Sequence, residues 1–178
     1  IAALASWAPT YRIAAWRQAL ETTGLGDILL PSQLLAVFQQ TRRRLHILFP
    51  ETASVLAALR PLYTLGLITN GAPDLQRAKI GGSGLGAWFE VMLVSGELGI
   101  GKPDPRIFSA VLERLRLRPD QAVMVGNSLG HDIMGARAAG IGSIWINRAG
   151  EAVPTGCAPD ATISSLSELP LLLATWPG

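Results

Sequence analysis

VMVGNSLGHDIMGARAAG, residues 123–140, is the stretch whose reading decides the fold. A short apolar run at 122–125 delivers Gly126, Asn127 and Ser128, and residues 129–139 then carry apolar positions at helical spacing until Gly140 stops them. A strand, a polar turn and a helix in that order form the repeating unit of parallel sheets, because a parallel neighbour is reached only through a crossover. Outward from this unit the pattern recurs. Residues 63–68 read as a strand followed by a helix at 73–80 with Pro73 in its first turn, and 90–94 as a strand followed by a helix at 104–115. Residues 143–146 and 161–163 read as further strands, with a terminal helix from Leu166, and 52–59 as a helix ahead of them all. Short strands separated by helices, without hairpin turns, predict an α/β fold: a Rossmann-like parallel sheet with helices on both faces.

The first fifty residues differ. Residues 11–23 and 32–48 both show helical spacing, with 24–31 as the turn between them and Ser32 as an N-cap. The expected organisation is an all-helical segment at 1–50 and an α/β core at 51–178. Trp7, Tyr11 and Trp16 recur at about helical spacing and read as the core of the helical segment rather than a stacking surface.

Composition narrows the classes. With 49% apolar and 16% charged residues the chain supports a buried core and not a disordered state. The net charge of +2 is small, and the basic run Arg42 to Arg44 lies in a helical pattern as a solvated face, so no nucleic-acid partner is implied. A single cysteine, Cys157, excludes an intrachain disulfide and reads as structural. Apolar runs such as 169–176 are too short for a bilayer, and no basic leader precedes the first apolar stretch, so a cytoplasmic protein without membrane contact is expected. The chain opens on isoleucine rather than methionine, as a fragment would.

In open parallel sheets ligands bind beyond the carboxyl ends of the strands. Three segments bring chemistry there. LITNG places Thr69, Asn70 and Gly71 after a strand, where a hydroxyl and backbone N–H groups can cradle a phosphoryl oxygen; the plain alternative is a polar turn. GKPDPRIF holds Lys102, one of only two lysines among fifteen basic residues, at a loop-to-helix junction where a compact ammonium suits a point charge. Asp104 and Pro105 start the helix that follows. The third segment sets Asn127 and Asp132 five residues apart, able together to hold a hard cation such as Mg²⁺, although Asp132 could equally serve only the helix N-terminus. His131 and His46 read as lone histidines rather than ligands.

In this order, with a helix between each pair, the three segments resemble motifs two, three and four of the haloacid dehalogenase superfamily of hydrolases. GELGIGKPDPRIF, residues 96–108, is close to what phosphatases of that superfamily show. The resemblance covers about residues 50–147 and implies a HAD-like core, with residues 1–50 as part of a helical cap. It further implies a Mg²⁺-dependent phosphatase of small phosphorylated substrates, acting through an aspartyl-phosphate. Thr69, Asn70 and Gly71 would hold the phosphoryl group, Lys102 would neutralise charge on nucleophile and phosphate, and Asn127 and Asp132 would hold the metal.

Two departures follow. No strand ending in Asp-x-Asp-x-Thr occurs in the chain, so both carboxylates that the resemblance requires are missing from it. Because that strand is central in the family, a gap with unpaired backbone groups is expected, leaving the chain by itself inactive and poorly stable. Asn127 stands where most members carry aspartate, which predicts weaker metal affinity. Asn127 would also suit a dehalogenase, which needs no metal, but Thr69 and Phe108 stand where those enzymes carry serine and tyrosine. A non-catalytic module binding a phosphorylated ligand or a protein is the other alternative. The oligomeric state is not legible.

Overall fold

Five short strands, all parallel to their neighbours, form the centre of the computed structural model, which describes residues 2–25 and 30–177. The side chains of residues 1–9 and 42–44 lie outside that description, so Trp7 and the run Arg42 to Arg44 are not placed, nor is the middle of the expected turn at 24–31. Helices α1 (Ala2–Thr22) and α2 (Leu30–Arg44) pack against each other, with Trp16 edge-on to Phe38 at 5.9 Å. They precede α3 (Thr52–Leu59), β1 (Gly66–Thr69), α4 (Pro73–Gly82), β2 (Val91–Val94), α5 (Ser95–Leu98) and α6 (Pro105–Leu115). Then come β3 (Val123–Gly126), α7 (Met134–Ala138), β4 (Gly142–Ile146), β5 (Ala161–Ile163) and α8 (Leu169–Ala174).

The strands form two sheets rather than one. β1 pairs with β2, Gly66 opposite Val91 and Thr69 opposite Val94, while β3, β4 and β5 pair in sequence order. Apolar side chains nevertheless make a common layer. On one face α6 buries Ile107, Phe108, Val111 and Leu112 against Ile68, Leu93 and Met124, so β1, β2 and β3 share that core. On the other face Val55 and Leu59 of α3 and Leu169 of α8 pack with Leu65, Val123, Val125, Ile144 and Ile163. β1 and β3 therefore share the α6 core without a ladder between them. Their burial reports the gap: no residue of β1 and only Gly126 of β3 is fully buried, whereas β4 buries three of its five residues. An inner strand covered on both faces should be the most buried of a parallel sheet. Here the two inner strands are among the more exposed.

Helix α6 shows how local signals set the frame. Asp104 caps it by accepting the Arg106 N–H at 3.0 Å, Pro105 occupies the first turn, and the helix stops at Arg116 in the left-handed conformation, φ 59°. Four buried apolar side chains on its inner face each contribute roughly 1.5–3 kcal/mol relative to exposure.

Several sequence expectations shift. α2 starts at Leu30, so Ser32 lies inside the helix rather than capping it, and the helix ends at Arg44 instead of 48. His46 falls beyond it, with Nε2 buried and unpartnered among the described residues, its ring against Gly82 of α4. The strand expected at 63–68 begins only at Gly66, because the N–H groups of Leu62 and Tyr63 both donate to the Leu59 carbonyl at 2.9 Å in the turn that ends α3. The helix expected at 129–139 opens as a wide turn over Leu129–Ile133, since the N–H groups of Asp132 and Ile133 both reach the Ser128 carbonyl. Tyr11 is 53% exposed and thus outside any helical core. Cys157 is half-buried, with Sγ 3.9 Å from the Leu129 carbonyl. No helix among the described residues is long and apolar enough to cross a membrane.

Candidate active site

Parallel strands point their carboxyl ends to one side, so the turns after β1, β2 and β3 gather there. The turn after β1 is held almost entirely by its own neighbours. The Asn70 side chain exchanges two hydrogen bonds with the Lys102 backbone, its Nδ2 donating to the carbonyl at 2.7 Å and its Oδ1 accepting from the amide at 2.9 Å. Gln76 donates from Nε2 to the Asn70 carbonyl at 3.0 Å. Gly71, at φ 147°, donates its N–H to Ser95 Oγ at 3.0 Å and accepts at its carbonyl from the Gly96 N–H at 3.2 Å. The Gly71 N–H expected in a phosphoryl cradle is thus turned into the protein, onto the Ser95 hydroxyl oxygen. Thr69, by contrast, makes no side-chain hydrogen bond among the described residues.

Lys102 joins the two sheets. Its ammonium donates to the Ile68 carbonyl of β1 at 3.0 Å and pairs with Asp132 Oδ1 at 2.6 Å, the two side chains only 11% and 6% exposed. The second carboxylate oxygen, Oδ2, accepts the Ser128 N–H at 2.9 Å. The carboxylate lies directly on Gly126, where a Cβ would come within 2.4 Å of it. Burial at this depth requires that a charge be matched and hydrogen-bonded. Asp132 has both.

Asn127 stands apart. Its carbonyl accepts from the buried Trp145 indole N–H at 3.0 Å, while its side chain is exposed and has no partner among the described residues. Ser128 and His131 close the turn, Ser128 Oγ accepting the His131 N–H at 3.1 Å and lying 3.0 Å from His131 Nδ1. Among the described residues no group of three or more His, Cys, Asp or Glu could hold a metal ion. One amide and one engaged carboxylate fit part of a Mg²⁺ site, since that ion keeps several waters and takes one or two carboxylates.

The structure thus brings Thr69, Asn70, Gly71, Lys102, Asn127 and Asp132 to one end of the strands, but it binds Lys102 to Asp132 and turns Gly71 inward. Sequence reasoning missed Ser95 and Trp145. Ser95 carried a usable signal, a polar residue directly after the apolar strand Val91–Val94. Trp145 carried none, because its indole reaches Asn127 only through the pairing of β3 with β4. Arg77 of α4 and Glu97 of α5 close the periphery with two hydrogen bonds, at 2.7 and 2.6 Å, and the guanidinium holds the Glu97 carboxyl below the usual range.

Known proteins carry the same frame. A family model described as haloacid dehalogenase-like hydrolase matches residues 8–140. A phosphoserine phosphatase of Thermus thermophilus is 42% identical over 94% of this chain and 67% of its own length. The pyrimidine 5'-nucleotidase YjjG of Escherichia coli is 35% identical over 80% of this chain and 64% of its length. A crystal structure of a 2-haloacid dehalogenase from Pseudomonas syringae pv. Tomato DC3000 superposes with a TM-score of 0.72 at 37% identity, covering 94% of this chain and 72% of that one. The chain spans about two thirds of the length of the curated relatives it matches. On the family match and the shared parallel architecture, the chain belongs to the haloacid dehalogenase-like hydrolases, a family of enzymes.

Proposed function

We propose that these residues form the body of a Mg²⁺-dependent phosphatase of small phosphomonoesters that works through an aspartyl-phosphate, with residues 1–50 as part of its helical cap. The observation that carries this reading is the buried Lys102 ammonium, fixed between the Ile68 carbonyl of β1 and Asp132 beyond β3, where the gap between the two sheets opens. A strand laid in that gap would end beside the lysine. An aspartate at its end would be the nucleophile, and Lys102 would offset the charge that gathers as a phosphate meets a carboxylate. The Thr69 hydroxyl and the remaining Asn70 amide hydrogen are the donors left to orient the phosphoryl oxygens. Asn127 and Asp132 would hold Mg²⁺, which when bound supplies charge stabilisation to the transferring group.

Relatives named for phosphoserine, pyrimidine nucleotide, N-acylneuraminate 9-phosphate and glyceraldehyde 3-phosphate support the phosphomonoester class. The exposed Asn127 amide and the likeness to a 2-haloacid dehalogenase favour one second reading, carbon–halogen hydrolysis without metal. Against it, Phe108 is 1% exposed, its ring against Gly135 of α7, and it carries no hydroxyl.

The test is the protein translated from the whole reading frame, screened against those phosphoesters and a 2-haloacid, with Mg²⁺ and with a chelator. Phosphate release that the chelator abolishes supports the proposal. Halide release that survives the chelator replaces it with the second reading, and neither release leaves a non-catalytic binding module.

A further inference from the structure

Ser95 is 6% exposed, and its Oγ accepts the Gly71 N–H at 3.0 Å. The next residue, Gly96, donates its N–H to the Gly71 carbonyl at 3.2 Å. The first two residues of α5 therefore grip both polar backbone groups of one glycine in the turn after β1. The grip is tight. A Cβ at Gly96 would meet the Gly71 oxygen and Pro73 Cδ, each at 2.7 Å, and a Cβ at Gly101 would meet Ser95 Cβ and Asn70 Oδ1, each at 2.8 Å. Arg77 and Glu97 bind α4 to α5 around the same turn.

We propose that Ser95 is a positioning residue whose buried hydroxyl turns the Gly71 amide inward and so leaves Thr69 and Asn70 as the ligand-facing donors of the turn. The physical reason is satisfaction. A buried N–H without an acceptor is costly, so with the Ser95 hydroxyl in place the inward orientation is the stable one. Without it the amide has to rotate toward water, and the backbone between Thr69 and Ala72 moves with it. Donor placement is sensitive at this level, because a phosphoryl oxygen is recognised only by donors at about 2.7–3.1 Å. This inference rests on the phosphatase reading of the same site.

The experiment uses the protein translated from the whole reading frame and inorganic phosphate as the probe, followed by NMR titration, with hydrogen exchange of the Gly71 amide as a direct report on the clamp. Ser95→Ala should weaken phosphate binding about tenfold or more and speed Gly71 exchange by at least as much. Ser95→Cys, which keeps a weaker acceptor, should fall between. Gly96→Ala loosens the clamp from its other side and should weaken phosphate binding while Ser95 is intact. Ser109→Ala makes the same chemical change on the exposed face of α6 and should alter neither. Unchanged phosphate affinity in Ser95→Ala, with normal binding by the unaltered chain, overturns the positioning role. If the unaltered chain binds no phosphate although its Gly71 amide is protected, the phosphatase reading of the site fails and the proposed role of Ser95 fails with it.

Discussion

The two flanks of the gap present opposite surfaces to it. On the β1 side the turn is occupied by its own fold: Asn70 is braced by the Lys102 backbone and Gly71 by Ser95 and Gly96, which leaves the Thr69 hydroxyl and one Asn70 amide hydrogen without a partner among the described residues. On the β3 side the Asn127 backbone is pinned by Trp145 while its side chain is open to solvent. One flank is a hydrogen-bonded template and the other presents an exposed amide. Lys102 and Asp132 bridge them, and the difference teaches that stability is concentrated in the bridge and the β1 turn while the exposed Asn127 side chain contributes little to it.

That separation can be broken first at the bridge. Lys102→Met leaves the Asp132 carboxylate buried without its cation and should cost about 3–5 kcal/mol, read as a lower urea midpoint. The Lys102→Met, Asp132→Asn double variant should cost less than the sum of the two single changes, since no buried charge remains unpaired. Strict additivity would mean that the two flanks are not coupled through this pair. Next comes the seat of the carboxylate. Gly126→Ala places a methyl against Asp132 and should cost about 1–3 kcal/mol, whereas Gly130→Ala, with nothing within 4 Å, should have a much smaller effect on the same midpoint.

The open flank should behave differently. Asn127→Asp should shift stability by less than about 0.5 kcal/mol, as an exposed substitution does. Calorimetric titration should show tighter Mg²⁺ binding from the added charge, and equal affinities would remove Asn127 from the metal position. The smallest effect lies at the α6 cap. The hydrogen bonds from Arg106 hold the Asp104 carboxyl down at about 2, below its ordinary 3.8. A depressed folded-state pKa stabilises above the unfolded value and is lost as the pH falls through the folded one. Asp104→Asn retains the cap, so its deficit against the unaltered chain should be constant above about pH 4 and vanish towards pH 2, followed by thermal melts across that range.

Helices α3 and α6 and strand β5 were legible within a residue, because a clear apolar pattern is bounded by turn residues in each, and α6 adds a prolyl first turn. α5 was not, since four residues carry no period, and its Ser95 was passed over although it follows a strand just as Thr69 does. The end of α2 was overrun because 45–49, Leu-His-Ile-Leu-Phe, continues an apolar run that propensity alone cannot stop.

By itself the sequence determined the layer order, the side of the sheet on which chemistry gathers, and the absence from these residues of an Asp-x-Asp-x-Thr strand end. These are local matters, set by period, turn residues and composition within a dozen positions. The tertiary structure alone decided that Lys102 pairs with Asp132, that Gly71 faces Ser95 and that β1 and β3 share a core without a ladder. Each joins groups more than twenty residues apart, and such partners are chosen by which polar groups burial leaves to be satisfied, a choice no local pattern records.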